Sequence, residues 1–298
     1  MDLRAMAMGV GFAFIWASAF STTRMIVQDA PPLTALSLRF ALSALIGIVL
    51  ALLMRQNFRL TRGEWRVVVL FGLCQNALYL GLNWIAMQWV EASAAAIIAS
   101  MMPLIVALMG WTLMGERPRP MAVAGLVTGM AGVAIIMGVR LQDGLSLTGT
   151  LLCLLAAVAL AVATLSARGA SSSGNMMMIV ALQMAVGAVA LMVPAMVLEW
   201  GQPLRFSARM GWAFAYTVVA PGILATWIWF LLVARIGAVR AATYHFLSPF
   251  FGVVIAAILL DERFGFSDAA GALIVAAGIL MVQRSKLPPP PVATGPGA

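Results

Sequence analysis

The stretches PLIVALMGWTLMGER at 103–117 and PFFGVVIAAILLDER at 249–263 decide how this chain folds. Each begins at a proline, runs through apolar residues, and closes thirteen residues later on a Glu-Arg corner. They lie 146 positions apart, and other landmarks keep that offset. Gly125 meets Gly271, Gly132 meets Gly278, and Ala95-Ala96 meets Ala241-Ala242. One such coincidence would mean little, but several at one offset mark an internal duplication.

Working outward, the two stretches sit in a chain that is almost entirely apolar. The 298 residues are 63% hydrophobic and 9% charged, with a mean hydropathy of +1.02. A soluble domain carries roughly 25% charged residues, so the globular class is excluded. The charges gather between long apolar runs: Ala5–Thr23, Val67–Val90, Ala92–Gly115, Met121–Val139, Leu147–Ala167, Met176–Leu198, Met210–Ala234 and Ala241–Leu260. Two weaker segments join them: Pro32–Met54, interrupted by Arg39, and Phe264–Gln283, interrupted by Asp268. A spanning helix needs about 20 predominantly apolar residues, so ten transmembrane helices are expected. Barrel strands would alternate apolar and polar residues, and these runs do not.

The expected fold is therefore all-α, in two five-helix repeats covering 1–143 and 144–284. The Pro-rich end, 285–298, reads as a disordered tail. Five helices is an odd number, so the second repeat must be inverted relative to the first. Such an arrangement places a substrate site near the bilayer midplane, between the halves, and permits alternating access. Ala17-Ser18-Ala19 resembles a cleavage site, but the repeat requires the first helix to stay. Cys74 and Cys153 both fall inside helices, which argues against a disulfide framework.

The net charge of +8 comes from residues bordering the helices. One side would collect Arg4, Arg55, Arg59, Arg62, Arg66, Arg117, Arg119, Arg168, Arg235, Arg240, Arg284 and Lys286. The other would hold Arg24, Arg140, Arg205, Arg209 and Arg263. Twelve against five puts both termini in the cytoplasm under the positive-inside rule. Membrane orientation explains the basic balance, and no nucleic-acid partner is expected.

Few side chains in these helices carry chemistry. Helix three holds a polar stripe, Gly72, Gln75, Asn76, Tyr79 and Asn83, at spacings of three and four. Polar groups facing lipid are costly, so the stripe should line a cavity or bond a neighbouring helix. Helix nine carries Tyr244, His245 and Ser248 before Pro249, and His245 is the single histidine. It is a candidate for proton coupling, or a neutral partner for a carbonyl freed by the proline. Pro103 and Pro249 should kink their helices and release the carbonyls of Ala99 and His245. Pro194 and Pro221-Gly222 are two further irregular points.

Ser100 and Met101, just before Pro103, are further candidates. Among the tryptophans, Trp65, Trp89, Trp200 and Trp212 lie near helix ends as interfacial anchors. Trp16, Trp84, Trp227 and Trp229 lie deeper, and Trp16 and Trp227 are taken as candidate substrate contacts. Arg39 either bonds backbone carbonyls or Asp29, or binds a substrate carboxylate. The glycines of helices five and ten allow close helix packing.

Together these features resemble the EamA-type members of the drug/metabolite transporter superfamily. The likeness rests on Trp16-Ala17-Ser18-Ala19-Phe20 in helix one and Leu38-Arg39-Phe40 in helix two. It also rests on the repeat endings Gly115-Glu116-Arg117 and Asp261-Glu262-Arg263, and it covers nearly the whole chain. The YddG-type exporters of aromatic and other amino acids look most similar. The resemblance implies a site lined by helices one, three, four, six, eight and nine, with two, five, seven and ten outside. It also implies a small-molecule substrate such as an amino acid, and a bacterial-type inner membrane. No cofactor or metal is expected, and one chain is expected to suffice. The alternative transport reading is efflux of drugs or lipophilic cations. Catalysis would need more than His245 and Ser248, and no nucleophile elbow, paired acid or metal-spaced cluster accompanies them.

Overall fold

The computed structural model describes residues 3–114, 119–142, 146–166, 174–236, 244, 247–262 and 265–285. The described chain is helical, and its helices coincide with the ten apolar runs. In chain order they are α1 (Leu3–Asp29), α2 (Pro32–Leu53), α3 (Arg62–Ala86), and α4, which runs Ala92–Ala99 and then Met102–Met114. They continue with α5 (Pro120–Gln142), α6 (Leu147–Ser166), α7 (Met176–Leu198) and α8 (Ala208–Ile236). The last two are α9 (Ser248–Leu260) and α10 (Phe266–Ser285). Six of them, α1, α2, α3, α6, α7 and α8, are long and apolar enough to cross a membrane. The described parts of α4, α5, α9 and α10 contribute shorter apolar stretches.

The duplication is visible in how the helices pair. α2 lies along α7 and α5 along α10, the two most extensive helix contacts among the described residues. α1 packs on α8 and α9, and its counterpart α6 packs on α3 and α4. The first helix of each repeat therefore rests on the third and fourth of the other. Small residues make the closest crossing possible: a Cβ on Gly132 would stand 2.8 Å from the Gly271 carbonyl. One on Gly278 would stand 2.6 Å from the Gly125 carbonyl. Without lipid-excluding side chains there, the backbones of α5 and α10 meet directly.

Two irregularities position the centre of the molecule. The first is in the fourth helix of each repeat, where the prolines do more than kink. α4 stops at Ala99 and restarts at Met102, so Pro103 occupies the first turn of a new segment. α9 as described starts at Ser248, with Pro249 in its first turn. A proline there loses no hydrogen bond, because the first-turn N–H groups have no helical partner. At its end, α9 closes on Asp261, held left-handed at φ 54°.

The second irregularity is a widened turn in the third helix of each repeat. α3 is a π-helix over Gly72–Leu80, and α8 is one over Val218–Leu224. Gly72 and Val218 are separated by the same 146 residues, so the distortion is a property of the repeat. Local π segments often mark functional sites. The buried carboxylates sit at helix ends: Glu64 closes a capping box with Thr61, and Asp268 accepts from Gly265 N at 3.1 Å. Trp65, Trp89, Trp200 and Trp212 are exposed near helix ends, as expected of interfacial anchors.

Candidate functional site

Two cavities lie side by side in the middle of the bundle. The larger holds about 590 Å³ of empty space, part of it open to the outside, and the smaller about 320 Å³. Both have Trp16, Phe20 and Tyr79 in their walls, so these three side chains stand between them.

The larger cavity takes part of its wall from the two π segments. Gln75, Asn76 and Tyr79 come from the α3 segment, followed by Asn83 and Trp84; Pro221 and Gly222 come from the α8 segment. α7 closes the cavity with Gln183 and Met184, and α2 with Arg39 and Phe40. Glycines allow these helices to approach. Gly187 stands where a Cβ would collide with Asn76, and a Cβ on Gly222 would lie 2.8 Å from Ser43 Oγ.

The hydrogen bonds there follow from the helix distortion. Pro221 has no N–H to donate to the carbonyl four residues back, on Thr217, and within the π segment the helical bonds reach five residues back instead. Arg39 Nε donates to the Thr217 carbonyl at 3.1 Å, and Ser43 Oγ donates to the next, Val218 O, at 2.9 Å. Arg39 also lies over the rings of Phe40, at 5.0 Å, and Trp84, at 6.0 Å. Of the two readings of Arg39 from the sequence, carbonyl binding is thus seen, with Thr217 as partner. Asn76 Nδ2 donates to Gln183 O at 2.9 Å, and Asn83 Nδ2 to Tyr79 O at 2.9 Å.

The smaller cavity is mostly apolar. Ala96, Ala99, Ser100 and Met102 line it from α4, Leu160 from α6 and Ser248 from α9. Ser100 Oγ is engaged, donating to Ile97 O at 2.6 Å in the last turn before the helix break, whereas Ser248 Oγ has no partner among the described residues.

Trp16, Asn76, Tyr79, Asn83, Ser100 and Ser248 are thus brought together around the two cavities. Three candidates stand elsewhere. Met101 packs against the main core at the α4 break. Trp227 packs with Ile48 and Leu182 against Ala51 and Met178, on the α2–α7 side. Tyr244 packs with Met8 and Trp229 beneath Ala5 and Leu232, at the end of the bundle where α1 begins. His245 and the Glu116-Arg117 corner lie outside the described residues, and so does Arg263. Sequence reasoning missed Gln183, Phe40 and Thr226 as wall residues. Gln183 left a signal, because it is the single amide in the apolar run of α7.

At the end of the bundle away from Leu3 and Ser285, carboxylates tie the repeats together. Glu262, just past α9, accepts from Ala92 N at 2.8 Å, Ser93 N at 3.0 Å and Ser93 Oγ at 2.6 Å. Glu199, just past α7, accepts from Leu33 N and Thr34 N, both at 2.7 Å. Each carboxylate meets the N-terminus of a helix in the other repeat, where free N–H groups and the helix dipole favour negative charge. Arg24 donates to the Met87 carbonyl nearby.

The sequence pattern of the EamA-like transporter family matches this chain twice, over residues 3–138 and 147–284. The chain belongs to the EamA-like transporter family. As an EamA-type, multi-pass membrane transporter it is similar to the transporter YvbV of Bacillus subtilis, at 27% identity over 90% of this chain and 88% of that one. The aromatic amino acid exporter YddG of Ancylobacter novellus is 29% identical over 144 residues, 46% of this chain and 48% of that protein. A solved crystal structure superposes with a TM-score of 0.66 over 94% of this chain and 98% of its own, at 19% identity, which supports the shared fold. Against the helix roles expected of an EamA-type transporter, the smaller cavity agrees, with walls from α1, α3, α4, α6 and α9. The larger departs from them. α2 and α7, expected outside, supply Arg39 and Gln183, because close contacts at Gly222 and Gly187 draw both helices in.

Proposed function

We propose that this transporter exports small amphipathic metabolites, amino acids including aromatic ones, by alternating access through the paired cavities between its repeats. One observation carries the reading: a compartment with a guanidinium and four amides among its wall residues meets one that has no charge or amide, at a shared wall of Trp16, Phe20 and Tyr79. A solute with a polar head and an apolar side chain matches that division, and a freely polar or wholly apolar one does not. The similarity to an aromatic amino acid exporter over half the chain is consistent with it. The cation on the cavity wall, Arg39, argues against lipophilic cations as the main cargo.

Trp16 and Tyr79 would contact the substrate, and Asn76, Asn83, Ser100 and Ser248 would supply polar wall. The ties at Glu262 and Glu199 would hold one end of the bundle together while the other opens, with one chain acting as a complete unit in a bacterial inner membrane. The test is counterflow uptake into proteoliposomes of purified protein, scanning labelled amino acids with and without a pH gradient. Saturable exchange of an aromatic or aliphatic amino acid, lost in Trp16→Ala, is the expected result. Movement of lipophilic cations driven by pH, with no amino-acid exchange, would move the protein to drug efflux.

A further inference from the structure

The larger cavity has unmet donors on one wall and unmet acceptors on the others. Arg39 is 5% exposed, and Thr217 O is its hydrogen-bond partner among the described residues, engaged through Nε. A guanidinium carries five N–H donors in a planar fork that matches a carboxylate. No described carboxylate pairs with it: Asp29 is engaged by Ser207 Oγ at 2.6 Å, and Glu199 by the α2 N-terminus. A buried charge of this kind is retained where it has work to do on a pathway.

Asn83 and Gln183 line the same cavity from α3 and α7; they are 1% and 2% exposed, and Asn83 Oδ1 and Gln183 Oε1 have no hydrogen-bond partner among the described residues. The orientation of Asn83 is set by chemistry: its Nδ2 donates to Tyr79 O, and turning the amide over would set two acceptors against each other. The bare atom is thus a carbonyl oxygen. The bare Asn83 oxygen and the side-chain amide of Gln183, which has no hydrogen-bond partner among the described residues and can turn its oxygen the same way, are an arrangement that a bound N–H group would complete.

Resting on the amino-acid reading above, we propose that Arg39, Asn83 and Gln183 form the head-group site. The guanidinium of Arg39 takes the substrate carboxylate, and the amide oxygens of Asn83 and Gln183 take its ammonium. Its occupant is a zwitterion with both groups on one carbon, and its side chain lies past Tyr79 toward the smaller cavity. Amines, amides and deaminated acids each leave one half of the site unsatisfied.

The experiment compares inhibition of counterflow in proteoliposomes by four probes: L-phenylalanine, L-phenylalaninamide, phenethylamine and 3-phenylpropionate. Wild-type protein is expected to prefer L-phenylalanine over each of the others by at least about tenfold, or about 1.4 kcal/mol. Arg39→Gln should collapse the ratio of phenylalanine to its amide toward one, and Arg39→Lys should keep part of it. Gln183→Leu should instead collapse the ratio of phenylalanine to 3-phenylpropionate. A purely structural Arg39 would lower all activity and leave the ratio untouched. Should Arg39→Gln fail to fold, as judged by melting and gel filtration, the wild-type ratio and Arg39→Lys decide. Equal affinity of the wild type for phenylalanine and its amide overturns this site while leaving amino-acid export standing. No exchange of any amino acid overturns both.

Discussion

The two cavities differ far more than their closeness suggests. The larger has a guanidinium and four amides set among apolar side chains, and the smaller is lined by alanines, a methionine, a leucine and two serines. The difference traces to different breaks in the helices. The third helix of each repeat carries a π segment at the larger cavity, which in α3 presents Gln75, Asn76 and Tyr79 and in α8 is preceded by Thr217, whose carbonyl accepts from Arg39. In the fourth helix a clean stop before the proline leaves small side chains, Ala96 and Ala99, at the wall. Backbone irregularity thus does two jobs here, presenting polarity in one place and making room in the other.

Breaking the partition should have the largest effect. Tyr79→Ala removes one of the three side chains that both cavities share, and exchange should fall at least about tenfold, equivalent to about 1.4 kcal/mol, in counterflow assays of correctly folded protein. An undiminished rate would mean the two spaces are not parts of one site. Filling the smaller space comes next. Ala99→Leu should weaken exchange of phenylalanine severalfold while sparing alanine, and equal loss for both would deny that this compartment reads side-chain size.

On the polar side, Asn76→Leu removes the bond from Nδ2 to Gln183 O. Interhelical bonds of this type contribute about 0.6 kcal/mol on average in membranes, so unfolding in detergent should show a loss of roughly that size. A neutral result would mean Asn76 serves the cavity alone. The smallest effect is expected at the far tie. Glu262→Gln keeps the shape but removes the charge facing the α4 N-terminus. Its cost should be about 0.3–1 kcal/mol and should shrink in high salt; a loss of several kcal/mol would make Glu262 a core element of the fold.

Sequence reading reached the ten helices because lipid demands long apolar runs, and it reached the duplication because Pro103, Gly125 and Glu116 have partners at a fixed offset. It also found the α3 stripe, since amides are conspicuous among leucines. It did not reach the π segments, because an extra residue in a turn leaves no compositional trace beyond Pro221-Gly222. For that reason the Arg39–Thr217 contact was readable only as carbonyl binding in general. Aromatics were the least legible. Trp227 and Tyr244 are as apolar and as deep in sequence as Trp16, and only helix rotation separates a cavity wall from a packing contact. Gln183 was available to the same reasoning that found Asn76, but a lone amide without a stripe gives no face.

The most direct test of the paired-compartment account is anomalous diffraction from crystals grown with 4-bromo-L-phenylalanine. The account predicts a bromine peak in the smaller cavity, among Ala99, Met102 and Leu160, with the carboxylate within hydrogen-bond distance of Arg39. A bromine peak at a lipid-facing groove, or in the larger cavity with the carboxylate turned away from Arg39, would contradict it.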